Sequence, residues 1–192
     1  MEFHETVLAH AAEFSQPKVI DRPLLAPLAI NASNRTELNM IITFAGHSSV
    51  SSSENIKESV KDQIRKNIAD DEQIICYLGG YGDFDCICAR ACQELKRENG
   101  KIELVYVAPY ISLSEQAKIS EMQSLGLCDT SIYPPIENVP PKFAILKRNE
   151  WMIINADLVI VYINRSHGGA YRSLQTAKRN NKKIINVYEI LR

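Results

Sequence analysis

The chain has 192 residues, 45% of them hydrophobic and 23% charged, with a formal net charge of −1. That is the size and balance of one ordinary globular domain able to bury its own core. No run approaches the roughly 20 apolar residues a membrane-spanning helix needs, and no global basic field exists, which argues against a membrane protein and against a nucleic-acid partner.

The opening Met-Glu-Phe-His-Glu lacks the positive charge of a secretory signal. Five cysteines form no recognisable disulfide framework and point to a reducing compartment, so a cytoplasmic protein is expected. The N-x-S/T triplets at Asn31, Asn34 and Asn164 are then chance matches. Residues 1–37 do not fit the alternation that follows: Val7 to Phe14 allow one or two helical turns, and Asp21 to Ile30 is apolar but broken by Pro23 and Pro27, so they read as an N-terminal extension ahead of a domain over 38–192.

From there short β-branched runs alternate with helical patterns. The run 39–45 is almost wholly apolar, as in a strand covered on both faces. Ser51-Ser-Ser-Glu54 fits a capping box, and Ile56, Val60, Ile64 and Ile68 make one helical stripe behind it. A second buried strand is expected over 73–78, then a glycine-rich turn and a helix over 83–99 with Ile87, Cys88, Ala91, Cys92 and Leu95 on its apolar side. A third strand spans 102–108 and stops at Pro109; Ser112-Leu-Ser-Glu115 opens a helix ending near Gly126.

A short strand over 130–133 lies in the proline-punctuated stretch 127–141. A helix over 142–155, a strand over 157–163, a helix over 170–180 and a strand over 183–188 complete the chain. This alternation, without tight hairpin signals, predicts an α/β, Rossmann-like three-layer fold: a mostly parallel sheet covered by helices on both faces.

In such sheets ligands gather beyond the carboxyl ends of strands. Three small-residue loops fall there: Gly46-His47-Ser48-Ser49 after the first strand, Gly79-Gly80-Tyr81-Gly82 leading to Asp85 after the second, and Asn164-Arg165-Ser166-His167-Gly168-Gly169 after the strand over 157–163. Glycines admit close backbone approach, and helix N-termini offer free N–H groups with partial positive charge, a combination suited to phosphate. The spacing departs from known fingerprints: Gly80 and Gly82 have Asp85 where a third glycine would complete G-x-G-x-x-G, and no P-loop motif occurs.

Asp83 and Asp85 read first as helix caps, with a ribose-facing role as the functional alternative for Asp85. Direct contact of either with phosphate is opposed by charge. His47 and His167 read as solvated loop residues or, functionally, as phosphate donors or proton carriers. Arg148 reads as a solvated cation on an amphipathic helix or as a bidentate phosphate ligand. Trp151 reads as core, with base stacking as its alternative. Cys86, Cys88 and Cys92 cluster, but Cys88 and Cys92 fall on the apolar stripe, so no metal and no cofactor is expected.

Several segments resemble the SLOG superfamily, the Rossmann-like group related to the DNA-processing protein DprA and the LOG phosphoribohydrolases. Ile41-Ile-Thr-Phe-Ala-Gly-His47 is similar to the strand-and-loop opening of its uncharacterised bacterial and phage "TGH" branch; Gly79-Gly-Tyr-Gly-Asp-Phe-Asp85 looks like its helix entry. Arg148-Asn-Glu-Trp-Met-Ile153, Ala156-Asp157 and 166–170 resemble its later block. The resemblance implies binding of a nucleotide or nucleotide-derived small molecule at Gly46, His47, Ser48, Gly79, Gly80, Gly82, Asp85, Arg148, Ser166, Gly168 and Gly169, and leaves a homo-oligomer open.

LOG enzymes carry P-G-G-x-G-T-x-x-E; here Leu78, Asp83 and Cys86 stand in place of the proline, threonine and working glutamate. A binder or sensor is therefore the first expectation. The alternative is an enzyme of N-glycosidic bonds, either phosphoribohydrolase or nucleoside deoxyribosyltransferase-like. Its carboxylate would be Asp85 or Glu150.

Overall fold

A computed structural model describes residues 39–51, 53–68 and 73–192. The extension expected over 1–37 and Ser52, at the centre of the expected capping box, lie outside those residues. The described elements run β1 (Asn39–Gly46), α1 (Ser53–Asn67), β2 (Gln73–Leu78), α2 (Asp83–Glu98), β3 (Ile102–Val107), α3 (Leu113–Ser124), β4 (Thr130–Ile132), α4 (Pro141–Asn155), β5 (Leu158–Tyr162), α5 (Gly168–Arg179), β6 (Lys183–Asn186) and α6 (Val187–Ile190). The strands form one six-stranded sheet in the order β4-β3-β2-β1-β5-β6, with every adjacent pair parallel. The Rossmann-like α/β fold expected from the alternation is the one observed.

The period of two in β1 distributes its side chains to two cores. Ile42 and Phe44 pack with Ile56, Val60 and Ile64 of α1 and with Phe84, Ile87, Cys88 and Cys92 of α2. Ile41 and Ala45 pack on the other face with Met152 and Ile153 of α4 and Ala177 of α5. The apolar stripe that places Cys88 and Cys92 inside is thus a packing stripe. Cys86, two residues earlier, is exposed.

Two of the shifted boundaries change how residues are used. Helix α5 begins at Gly168 rather than 170, so both glycines of that loop belong to its first turn. The last strand ends at Asn186 and the chain turns into the short helix α6, whose Val187 is buried against the first core. There Asn186 closes the strand end, donating from Nδ2 to the Ile163 carbonyl and accepting the Ile163 N–H.

Candidate functional site

Strand β1 lies between β2 and β5. The helices that follow β1 and β5 leave toward opposite faces, since α1 joins one core and α5 the other. The carboxyl end of β1 is therefore the topological switch point, where a crevice opens because adjacent connections diverge. A cavity of about 360 Å³ occupies it, within the range of small-molecule sites. Its walls are Phe44–Ser48, Gly79, Tyr81, Asp85, Ile145, Arg148, Asn149, Arg165, His167–Ala170 and Ser173.

The first two loops are joined to each other. The Asp83 amide donates to the Ser48 carbonyl at 2.9 Å, and the Asp83 carboxylate accepts from the Val50 amide at 3.2 Å. Gly82, at φ +95, passes so close that an added Cβ would stand 2.8 Å from Ser48 Cα. Neither aspartate caps α2 with its side chain; its N-cap is Gly82. Asp85 instead reaches back to accept the Tyr81 amide at 3.0 Å, which curls the glycine loop over its own helix. The capping roles expected for Asp83 and Asp85 are thus replaced by loop-to-loop and loop-to-helix ties.

Arg148 is fully buried, not the solvated cation of the simpler reading. One guanidinium nitrogen donates to Gly79 O at 2.7 Å and Val107 O at 3.1 Å, tying α4 to the ends of β2 and β3. Its Nε is buried with no hydrogen-bond partner among the described residues. Burial lowers its pKa, and the attraction of Asp85 opposes that shift. Burial in turn raises the Asp85 carboxyl, with the Tyr81 amide and Arg148 pulling it back down. A side chain at Gly79 would break this arrangement, since a Cβ would fall 2.6 Å from Asp85 Oδ2 and 2.9 Å from the guanidinium.

A second polar group braces the loop from α3. Glu115, 5% exposed, accepts the hydroxyls of Tyr81 (2.9 Å) and Tyr106. Lys118 donates to the Gly80 carbonyl at 2.7 Å and sits 3.5 Å above the centre of the Tyr81 ring. Burial and the bond to Glu115 push the Tyr81 phenol up to about 12, while burial draws Lys118 down. Gly80 at φ +69 and Gly82 shape this loop but do not line the cavity.

His47 is buried rather than solvated, 8% exposed, and its Nε2 accepts the Asn164 amide at 3.2 Å. Burial, then the charge of Arg165, lowers its pKa. An acceptor at Nε2 corresponds to the tautomer that carries its proton on Nδ1. The N-terminus of α5 opens into the same cavity. Its N-cap residue His167 makes no side-chain cap, and the positions where Gly168 and Gly169 would carry a Cβ meet nothing within 4 Å. Such an end presents N–H groups and partial positive charge to the cavity.

Of the residues singled out in the sequence, Gly46, His47, Ser48, Gly79, Asp85, Arg148, Gly168 and Gly169 line the cavity. Gly80, Gly82 and Ser166 do not. Gly46 serves packing as well, because a Cβ there would meet the Phe84 ring at 2.4 Å. Trp151 packs on Tyr77 with ring centres 5.5 Å apart, and neither it nor Glu150 lines the cavity. Missing from the sequence reading were Arg165, Ile145, Asn149 and Ser173, together with the brace of Glu115 and Lys118. Arg165 had a local signal, a cation inside the third loop. Glu115 and Lys118 had none, since they reach the site across more than 30 residues of sequence.

No family model and no curated protein matches the sequence. The fold is similar to the X-ray structure of DNA processing protein A (DprA) from Streptococcus pneumoniae, at TM-score 0.54 and 14% identity over 76% of this chain and 49% of that one. The chain thus spans about half the length of that relative. DNA processing protein A from Helicobacter pylori, solved for its single-stranded DNA binding mode, aligns at TM-score 0.49 and 16% identity over 76% of this chain and 63% of that one. The likeness is one of fold. The expectation against a nucleic-acid partner is corrected by the first of these likenesses, since that solved structure of similar fold is a DNA processing protein. A chain-wide charge says little about a local array such as Arg148, Arg165 and the start of α5.

Proposed function

We propose that the protein binds a nucleotide or nucleotide derivative in the switch-point cavity and acts as a binder or sensor, within the TGH branch that residues 41–47 resemble. One observation carries the reading. The uncapped N-terminus of α5 and a buried arginine with an unpartnered Nε line the same cavity. The phosphate lies at Gly168 and Gly169, where the helix offers amide donors and partial positive charge, with exposed Arg165 beside it.

Thermal unfolding with nucleoside mono- and diphosphates, dinucleotides, ADP-ribose and a single-stranded oligonucleotide tests this, because a ligand of the native state raises Tm. Gly169→Asp is the informative variant. It has open space, and a carboxylate in the first turn favours the helix by about 0.3–1 kcal/mol. It should unfold no earlier than the wild type yet lose the nucleotide-induced shift. Absence of a shift with every nucleotide, or an undiminished shift in Gly169→Asp, overturns the reading. A shift with the oligonucleotide alone assigns the site to nucleic acid instead.

A second reading, an enzyme of N-glycosidic bonds, is favoured by the position of Asp85 as the acidic residue lining the cavity. Release of free base from a nucleoside monophosphate, abolished in Asp85→Asn, would establish it.

A further inference from the structure

Resting on the nucleotide reading, we propose that the cavity is divided, with phosphate at the start of α5 and sugar hydroxyls on Asp85, so that it selects a ribosyl phosphate over its 2-deoxy counterpart. Among the described residues that line the cavity Asp85 is the one acidic residue, and it is half-buried. Its Oδ2 already accepts the Tyr81 amide. A carboxylate has about four acceptor positions, so this single bond leaves capacity for further donors.

What can approach it is restricted by its neighbours. A second anion is repelled by the carboxylate itself. A cationic group meets Arg148 and Lys118, both close enough to Asp85 to be attracted to it. A neutral donor remains, and a vicinal diol supplies two O–H groups at the spacing of one carboxylate. Gly79 keeps the approach clear, since any side chain there would strike Asp85 Oδ2. The phosphate is excluded from this end and drawn to the other, where Arg165, Gly168 and Gly169 form the wall. The order of the ligand in the cavity follows from this division of charge.

The test titrates the full chain with inorganic phosphate, ribose 5-phosphate and 2-deoxyribose 5-phosphate, followed by NMR chemical shifts. Ribose 5-phosphate should bind about tenfold more tightly than the deoxy sugar, the scale of one hydrogen bond to a charged group. Asp85→Asn, whose amide oxygen can still accept from Tyr81, should bring that ratio close to one without weakening inorganic phosphate. If the variant fails to fold, the ratio in the wild type decides alone. Equal binding of the two sugars by the wild type overturns the inference and leaves the nucleotide reading standing. Failure of all three ligands to bind overturns the inference as well, and the nucleotide panel then decides the reading it rests on.

Discussion

Gly46 shows how one residue type can carry two meanings. In the sequence it is a loop glycine that lets backbone approach a ligand; in the structure it lines the cavity and also leaves room for the Phe84 ring beneath it. The second role makes a prediction about stability. Gly46→Ala places a methyl group 2.4 Å from that ring, and forced overpacking of this kind costs about 1–3 kcal/mol. Chemical denaturation should show a lower midpoint with an unchanged slope, while a stability equal to the wild type would mean that Phe84 can withdraw without loss. Arg148 is the parallel case among charged residues. Its motif position marks it for a ligand, but its bonds to Gly79 and Val107 also hold two strand ends. Gly169 is the cleaner probe of binding because an added Cβ there meets no described residue within 4 Å.

At the level of elements, α1 and α2 were readable from their stripes, and their apolar sides meet as expected in the first core. Their polar sides were not readable as partners. Glu94 of α2 accepts Lys57 at 2.7 Å and Lys61 at 2.8 Å from α1, which holds its carboxyl at about 2. A carboxyl lowered by folding adds stability that is fully present above its unfolded value of 4.5 and is lost as pH falls toward 2. Glu94→Gln should therefore lower stability at neutral pH, by under about 1 kcal/mol for a solvent-screened group. The gap from the wild type should close as pH drops below the unfolded value; a gap constant with pH in urea titrations would contradict the pairing. Helix α3 differs in kind. Its N-cap Ser112 accepts the Glu115 amide, as the serine pattern implies, but only Glu115 and Met122 are buried along it. Its contribution is polar, bracing the glycine loop through Glu115 and Lys118.

For the whole molecule, β1 is the organising strand, paired on both sides and followed by the switch point. Because β1 begins at Asn39, we propose that residues 38–192 are the folding unit. A chain starting at Leu38 should give one cooperative thermal transition near that of the full chain; loss of the transition would show that the first 37 residues belong to the fold. Periodicity and turn chemistry were enough to specify the strands and helices α1 to α5, the parallel arrangement and the three loops, because these depend on residues a few positions apart. The strand order was beyond them, and so were the burial of Arg148 and His47 and the brace from α3. Each of these depends on groups that meet only when the sheet is assembled, as Arg148 meets Gly79 across 69 positions. The sequence by itself thus determined which segments carry small residues suited to a phosphate. The tertiary structure decided which of them face one cavity and which charged groups stand beside them, since burial and charge compensation are properties of neighbours in space.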